Sequence, residues 1–251
     1  MSGIVRLLRD ARITGWVALV PVIYFVAEWL VSASWRGYYG YREDLLGPLG
    51  SAFCGPEGNW PCSDLYHVMN VALVLTGLAV AYVAASFLAQ RVTDRGHAVL
   101  LLAAGLALAT TGLITQQVDY PWNLTATTVF LTLGAVSVLF IALGTTSELS
   151  AERRGVAVVA GMISMVGYFA YLGQHDLFGA GGSQRMAIYG ILAAVIALGT
   201  AGLRTRSTTT AVSPELLEES RWTSLGLVAC CATAPCWPAS SPCADARFRR
   251  R

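Results

Sequence analysis

The chain has 251 residues, of which 55% are hydrophobic and only 13% are charged. Soluble domains carry charge on about 25% of their residues, so this composition argues against a water-soluble globule. The formal net charge of +2 comes without a basic face in the hydrophobic part, and it gives no indication of a nucleic-acid partner.

Six stretches have the length of about 20 mostly apolar residues that a membrane-spanning helix requires. They cover residues 13–34, 68–89, 98–118, 122–146, 155–174 and 186–203. Each is apolar around its whole circumference, which predicts burial in lipid. The predicted fold class is therefore all-α, a six-transmembrane-helix bundle at 13–204 between a cytoplasmic N-terminus at 1–12 and a tail at 205–251.

The distribution of arginine predicts the orientation of this bundle. Fourteen Arg lie in the N-terminus, the even-numbered connections and the tail, whereas the opposite loops hold only Arg36, Arg42 and Arg185. The positive-inside rule then places both termini in the cytoplasm of a multi-pass protein of the cell membrane. The tail joins a Ser-Thr linker to a segment rich in Cys, Ala, Pro and Ser, and we expect it to be largely disordered.

The alternative of a cleaved signal peptide rests on Val31-Ser32-Ala33, a small-residue cleavage pattern. The length of the first apolar run, with Glu28 and Trp29 inside it, favours an uncleaved helix.

The long outer loop contains Cys54 and Cys62, separated by Gly and Pro residues that form turns. On an oxidising side of the membrane this pair predicts a disulfide. A metal-binding pair is the alternative, but the spacing fits no standard zinc site.

Polar and ionisable residues gather at the predicted outer ends of all six helices. Such residues are costly within a membrane and are functional candidates for that reason. The arrangement predicts an outward-facing polar pocket. Its candidate ligand-binding residues are Glu28, Asp64, His67, Asn70, Asp119, Asn123, His175, Gln184 and Arg185.

One interpretation is a non-enzymatic site that binds or passes a lipid headgroup or small polar solute. Glu28, His67 and Arg185 are its principal residues, since a guanidinium offers paired donors to phosphate or carboxylate. The sequence identifies no cofactor, and besides the lipid bilayer it predicts no partner but this ligand.

A second interpretation is a membrane-embedded, metal-dependent hydrolase acting on a lipid or amide. Asp64, His67, His175 and Asp176 have side chains suited to a metal such as zinc, which activates water. The sequence offers only one further His, His97, at the opposite membrane face. A third interpretation is a non-catalytic accessory subunit of a membrane complex.

Purely structural roles are the alternative for the same residues. Glu28 and Arg185 are expected to pair and tie the first helix to the last. Asp64 is expected to cap the second helix through its carboxylate. Gly179, Gly181 and Gly182 are interpreted as a flexible turn, because no strand precedes them as in a phosphate-binding loop.

Several short motifs resemble domain-of-unknown-function family 998, a group of bacterial six-helix membrane proteins, over residues 15–202. The resemblance rests on Ala27-Glu28, on the leucine-glycine pairs at 46–50, on residues 64–70 and 112–121, and on Gly182-Ser183-Gln184-Arg185 with Tyr189. It implies the six-helix fold and topology and no established activity.

Two departures from the family pattern weaken any implied catalysis. The family commonly has Glu-Arg at the head of the sixth helix, where this chain has Gln184-Arg185. It also tends to carry Pro-Glu and a His near the fourth helix, where this chain has Pro121-Trp122-Asn123.

Overall fold

The computed structural model describes residues 2–52, 54, 62–144, 150–173 and 177–203, and within these ranges it contains eight α-helices and no β-strand. The helices are α1 (Ser2–Arg9), α2 (Ala11–Val17), α3 (Val22–Ala33), α4 (Tyr66–Gln90), α5 (Arg95–Leu113), α6 (Tyr120–Leu143), α7 (Ala151–Leu172) and α8 (Gly179–Gly199). A short 3₁₀ helix lies between α3 and α4 at Gly47–Gly50, and a second follows α8 at Thr200–Leu203. Six spans are long and apolar enough to cross a membrane, which confirms the predicted fold class.

The first span consists of α2 and α3 together, from Ala11 to Ala33. The two helices are separated by turns at 18–21 that end at Pro21. Proline has no backbone N–H and crowds the preceding turn, so a continuous helix is interrupted here.

Large apolar side chains are exposed on five of the six spans, all except α8. Examples from different spans are Trp29 (65% exposed), Val71 (57%), Leu106 (50%) and Val159 (61%). Exposed apolar surface on this scale is costly in water and is typical of helices that face lipid. These five spans therefore have the surface expected of an integral membrane protein.

Successive helices pack as neighbours from α3 to α8, and α8 also contacts α2, α4 and α6. As a result α8 is the most buried span. Phe130, Leu131, Ile191 and Leu192 form part of the fully buried core between α6 and α8.

Helices α4 and α5 pack closely and meet at Gly77 and Gly105. A Cβ atom on Gly77 would lie 2.6 Å from the carbonyl oxygen of Gly105. A Cβ atom on Gly105 would lie 2.8 Å from the carbonyl oxygen of Gly77. Glycine at both positions lets the two backbones touch, which is a common way of packing helices in membranes.

Two helix boundaries differ from the predicted ones by five residues or more. α5 ends at Leu113 instead of residue 118, because the following residues form a turn that leads into the capped start of α6. α8 begins at Gly179 instead of residue 186, so the interpretation of Gly179, Gly181 and Gly182 as a flexible turn was wrong. These glycines form its first turn, where Gly182 donates its N–H to the carbonyl of Arg42 at 2.8 Å.

The loop between α3 and α4 closes at its base and defines what we call the long-loop end of the bundle. Trp35 and Ser63 form an isolated antiparallel bridge, and Arg36 donates its backbone N–H to the carbonyl of Cys62 at 2.8 Å. Cys54 and Cys62 form the predicted disulfide, with their Cα atoms 5.2 Å apart. The tail from residue 204 lies outside the described residues, and the orientation of the bundle stays a prediction.

Candidate functional site

A buried ion pair joins the first and last spans near the long-loop end. Glu28 is 1% exposed and Arg185 is 4% exposed. The Arg185 Nε donates to Glu28 Oε1 at 2.7 Å, and the Tyr189 hydroxyl donates to Glu28 Oε2 at 2.7 Å. Both carboxylate oxygens are therefore occupied. The geometry agrees with the structural interpretation, in which each charge compensates the other in a water-poor environment.

The other nitrogens of Arg185 bind the long loop. Its Nη1 donates to the carbonyls of Tyr41 and Asp44, each at 2.7 Å, and its Nη2 donates to the hydroxyl of Tyr39. The guanidinium also lies over the Tyr39 and Tyr41 rings, 5.3 and 4.9 Å from their centroids. Because its donors are used in this way, Arg185 attaches the loop to α8 and has little capacity left for a ligand.

The contact with Arg185 places the Tyr39 phenol in a largely water-excluded position. Burial raises the pKa of Tyr39 to about 12, and the positive charge of Arg185 opposes this rise only in part. The phenol is therefore neutral at physiological pH, where it accepts a hydrogen bond from Arg185 and donates one to the Leu45 carbonyl at 3.2 Å.

Three side-chain amides hold the next part of the loop, residues 46–52, on the bundle. Gln184 accepts the backbone N–H of Leu46 at 3.0 Å, and Gln117 accepts that of Ala52 at 3.0 Å. Asn70 donates its Nδ2 to the Gly50 carbonyl at 3.1 Å. These bonds satisfy backbone groups that lie outside regular structure, so the segment has a defined position over the helix ends.

Beneath this segment lies a cavity to which all six spans contribute. Its interior volume, measured to the centre of a water-sized molecule, is about 70 Å³, which is room for a few water molecules or one small polar group. Leu46, Gly47 and Gly50 form part of its wall on the loop side. The polar residues of its wall are Tyr24, Asn70, Thr111, Thr115, Gln116, Tyr120, Asn123, Thr127, Tyr171 and Gln184. The remainder is apolar, including Met69, Phe130 and Ile188.

Two buried polar atoms of this wall have no hydrogen-bond partner in the described part of the chain. They are the hydroxyl of Tyr24, a residue that is fully buried, and Oδ1 of Asn70. Buried polar atoms almost always have a partner, which is commonly a ligand or an ordered water when it is not protein. Two residues of the cavity wall therefore have hydrogen-bonding capacity that the described part of the protein leaves unfilled.

Two other predicted site residues organise the connection between α5 and α6. Asn123, which also lines the cavity, donates its Nδ2 to the carbonyls of Thr111 (3.1 Å) and Ile114 (2.7 Å) at the end of α5. Asp119 caps α6 by accepting the backbone N–H of Trp122 at 3.1 Å. Both residues bond to backbone groups at helix ends, which explains why polar side chains occur at these two positions.

Asp64 and His67 are not brought to the cavity. Asp64 is exposed and its carboxylate accepts two bonds from Arg36, at 2.8 and 2.7 Å. The expectation that Asp64 caps α4 was wrong, because the cap is Leu65 and no side chain bonds there. His67 is exposed and stacks on Tyr66, with 3.8 Å between ring centroids.

The predicted metal ligands are only partly within the described structure. His175 and Asp176 lie outside the described residues. Among the residues that are described, no group of three or more His, Cys, Asp or Glu side chains has the spacing to hold a metal ion.

Of the nine predicted ligand-binding residues, Asn70, Asn123 and Gln184 line the cavity. Glu28 and Arg185 lie beside it in the ion pair.

Tyr24 was not predicted as a site residue, because a tyrosine in an apolar span resembles a core or interface residue in sequence. Only its depth of about three turns from the helix end would have distinguished it from the interfacial belt.

The chain matches no protein-family model, no curated protein and no solved structure.

Proposed function

We propose that this integral membrane protein binds or passes a lipid headgroup or small polar solute in the cavity at its long-loop end. The observation that carries the proposal is the pair of unpartnered buried atoms, Tyr24 Oη and Asn70 Oδ1, on two residues that line a cavity bounded by all six spans. Leaving such an atom unsatisfied costs about 1–3 kcal/mol, so a molecule that bonds to it is stabilised there.

In this proposal the predicted site residues have two different roles. Asn70, Asn123 and Gln184 contact the ligand together with Tyr24. Glu28 and Arg185 are positioning residues, because Arg185 binds the loop at 39–44, directly before the segment that closes the cavity. We assign no ligand contact to Asp64, His67 or Asp119, because none of them lines the cavity.

The proposal places the site in the outer leaflet of the cell membrane, because the positive-inside rule assigns the long-loop end to the outside. Membership of domain-of-unknown-function family 998 is part of the same proposal and rests on the short motifs alone.

The hydrolase alternative has no support from the described residues, since Asp64 is bound by Arg36 and His67 is exposed. No described contact favours the accessory-subunit alternative.

A variant that fills the mouth of the cavity tests the proposal. Leu124 lines the cavity and is 41% exposed, so Leu124→Trp can place its ring over the mouth without disturbing the core. Leu75 is 42% exposed on α4 and is not part of the wall, which makes Leu75→Trp a matched control. The measurement is mass spectrometry of the small molecules that remain bound after purification from membranes in mild detergent.

We expect the wild type and Leu75→Trp to retain the same bound species, and Leu124→Trp to lose most of it. Equal retention in both variants would show that the cavity is not the site. A wild-type protein that brings no specific lipid or solute with it would remove the proposal.

A further inference from the structure

The hydrogen-bonding groups left open in the cavity specify what a ligand must offer. The Asn70 Nδ2 is used by the Gly50 carbonyl, so the amide is fixed in orientation and Oδ1 is the free acceptor. Tyr24 contributes a hydroxyl, which donates and accepts. A hydroxyl group suits both residues, since it can donate to an amide oxygen and accept from a phenol. A phosphodiester or a carboxylate cannot donate to Asn70.

The wall also selects against charge. None of the lining residues that the structure describes is Asp, Glu, His, Lys or Arg. The adjacent charges, Glu28 and Arg185, neutralise each other, and both oxygens of Glu28 are occupied. A charged headgroup would therefore be desolvated without a counter-charge, which is strongly unfavourable.

The exposed part of the wall indicates where a ligand enters. Of the lining residues, only Tyr120 (56% exposed) and Leu124 (41%) are among the exposed large apolar side chains, and both lie in the first two turns of α6. On the loop side the wall residues Leu46 and Gly50 are buried and held by Gln184 and Asn70, while Gly47 and Gln116 are half-buried. The most exposed apolar part of the wall thus lies along the side of a membrane-spanning helix.

From these three observations we infer that the cavity takes the uncharged, hydroxyl-bearing head of a neutral amphiphile, which enters sideways along α6 from the membrane. Diacylglycerol is the simplest lipid with this chemistry, and free glycerol carries the same hydroxyls from water. The inference rests on the proposed function, because it names the ligand class of the same cavity. It adds the requirement for a neutral head and the direction of entry.

Photo-crosslinking in phosphatidylcholine nanodiscs tests the ligand class. The probes are a diazirine-bearing diacylglycerol and a phosphatidic acid with the same labelled chains, which differs by its charged phosphate. We expect saturable labelling by diacylglycerol, with crosslinked peptides from the start of α6, and no saturable labelling by phosphatidic acid. Unlabelled glycerol added as a competitor distinguishes a solute from a lipid.

Tyr24→Phe tests the hydrogen bond, since it removes only the hydroxyl. We expect it to raise the half-saturating mole fraction of diacylglycerol about fivefold, the loss typical of one hydrogen bond. Tyr168→Phe is the matched control. Its hydroxyl bonds Thr132 at 2.7 Å, and Tyr168 is not part of the cavity wall, so the mole fraction should not change.

The outcomes separate this inference from the function on which it rests. Saturable labelling by phosphatidic acid alone, or equally by both lipids, overturns the neutral head and leaves a lipid-binding cavity. Displacement by glycerol overturns entry from the membrane and supports the hydroxyl chemistry. Tyr24→Phe without effect overturns the hydroxyl contact. Absence of saturable labelling by both lipids overturns this inference and leaves the proposed function to the retention measurement on Leu124→Trp.

Discussion

Glu28 and Arg185 are 157 positions apart in the chain, and their side chains meet at 2.7 Å inside the bundle. One residue belongs to the first span and the other to the last, so the pair joins the two ends of the membrane domain. Arg185 extends the same connection to the long loop through the carbonyls of Tyr41 and Asp44. A single buried cation thus fixes two helices and the loop segment beside the cavity.

Glu28→Gln should destabilise the protein strongly, although its side chain keeps nearly the same shape. The substitution leaves the Arg185 guanidinium buried without a counter-charge, which typically costs about 3–5 kcal/mol. The measurement is the unfolding temperature of the purified protein in detergent. We expect Glu28→Gln combined with Arg185→Gln to recover part of the loss, because no unpaired charge then remains.

The exposed pair of Arg36 and Asp64 supplies the control for this prediction. Its side chains are 54% and 67% exposed, so Asp64→Asn should cost less than about 1 kcal/mol. Equal effects of Glu28→Gln and Asp64→Asn would mean that the buried pair is not a structural connection.

Gly77→Ala should separate α4 from α5. The added methyl group would lie 2.6 Å from the carbonyl oxygen of Gly105 and 2.8 Å from the Cα of Ala109, and backbone atoms cannot move away as a flexible side chain does. We expect a loss of about 1–3 kcal/mol, as in other overpacked interfaces, measured by thermal unfolding in detergent.

Gly155→Ala is the matched change on α7, where an added Cβ meets nothing within 4 Å. Alanine favours helix by up to about 1 kcal/mol relative to glycine, so this variant should be as stable as the wild type or more so. If Gly77→Ala were also neutral, the two helices would not be packed through their backbones.

The six spans were predictable because each needs only length and uniform apolarity, which are local properties of the sequence. The start of α8 was not predictable in the same way. Its glycines disfavour helix locally, and they are helical here because the loop backbone at Arg42 and Asp44 packs directly against them. That contact joins residues well over a hundred positions apart, so no local pattern contains it.

The sequence predicted at which end of the bundle the candidate site lies, but not which side chains contact the cavity. Asn70, Asn123 and Gln184 were identified because polar groups at span ends are unusual. His67 is also a polar residue at the end of a span, yet it lies on the exposed side of α4. Met69 and Asn70 on the same helix line the cavity. The direction in which a side chain points depends on a rotation that an apolar span does not specify.

Cysteine labelling of intact cells tests the predicted orientation. Tyr38 is 91% exposed in the long loop, and Gly96 is exposed at the start of α5 with open space around it. In a chain whose four tail cysteines are changed to Ser, a membrane-impermeant maleimide should label Tyr38→Cys and not Gly96→Cys. The positive-inside rule gives this expectation, and the opposite labelling would invert the topology.

Alkaline pH should weaken the attachment of the loop through Tyr39. Its pKa is raised to about 12 by burial, whereas an unfolded tyrosine titrates near pH 10. The folded state therefore holds the phenolic proton more tightly, and its contribution to stability is complete below about pH 10 and is lost as the pH rises toward 12.

This pH dependence is measured as the difference in unfolding temperature between the wild type and Tyr39→Phe. The difference should be constant up to about pH 10 and should shrink above it, because phenylalanine has no proton to lose. Tyr38→Phe is the control, since the Tyr38 ring is 91% exposed and its removal leaves the Tyr39 contacts in place. A difference between the wild type and Tyr39→Phe that stayed constant through pH 12 would mean that the Tyr39 phenol is not held in a water-poor contact with Arg185.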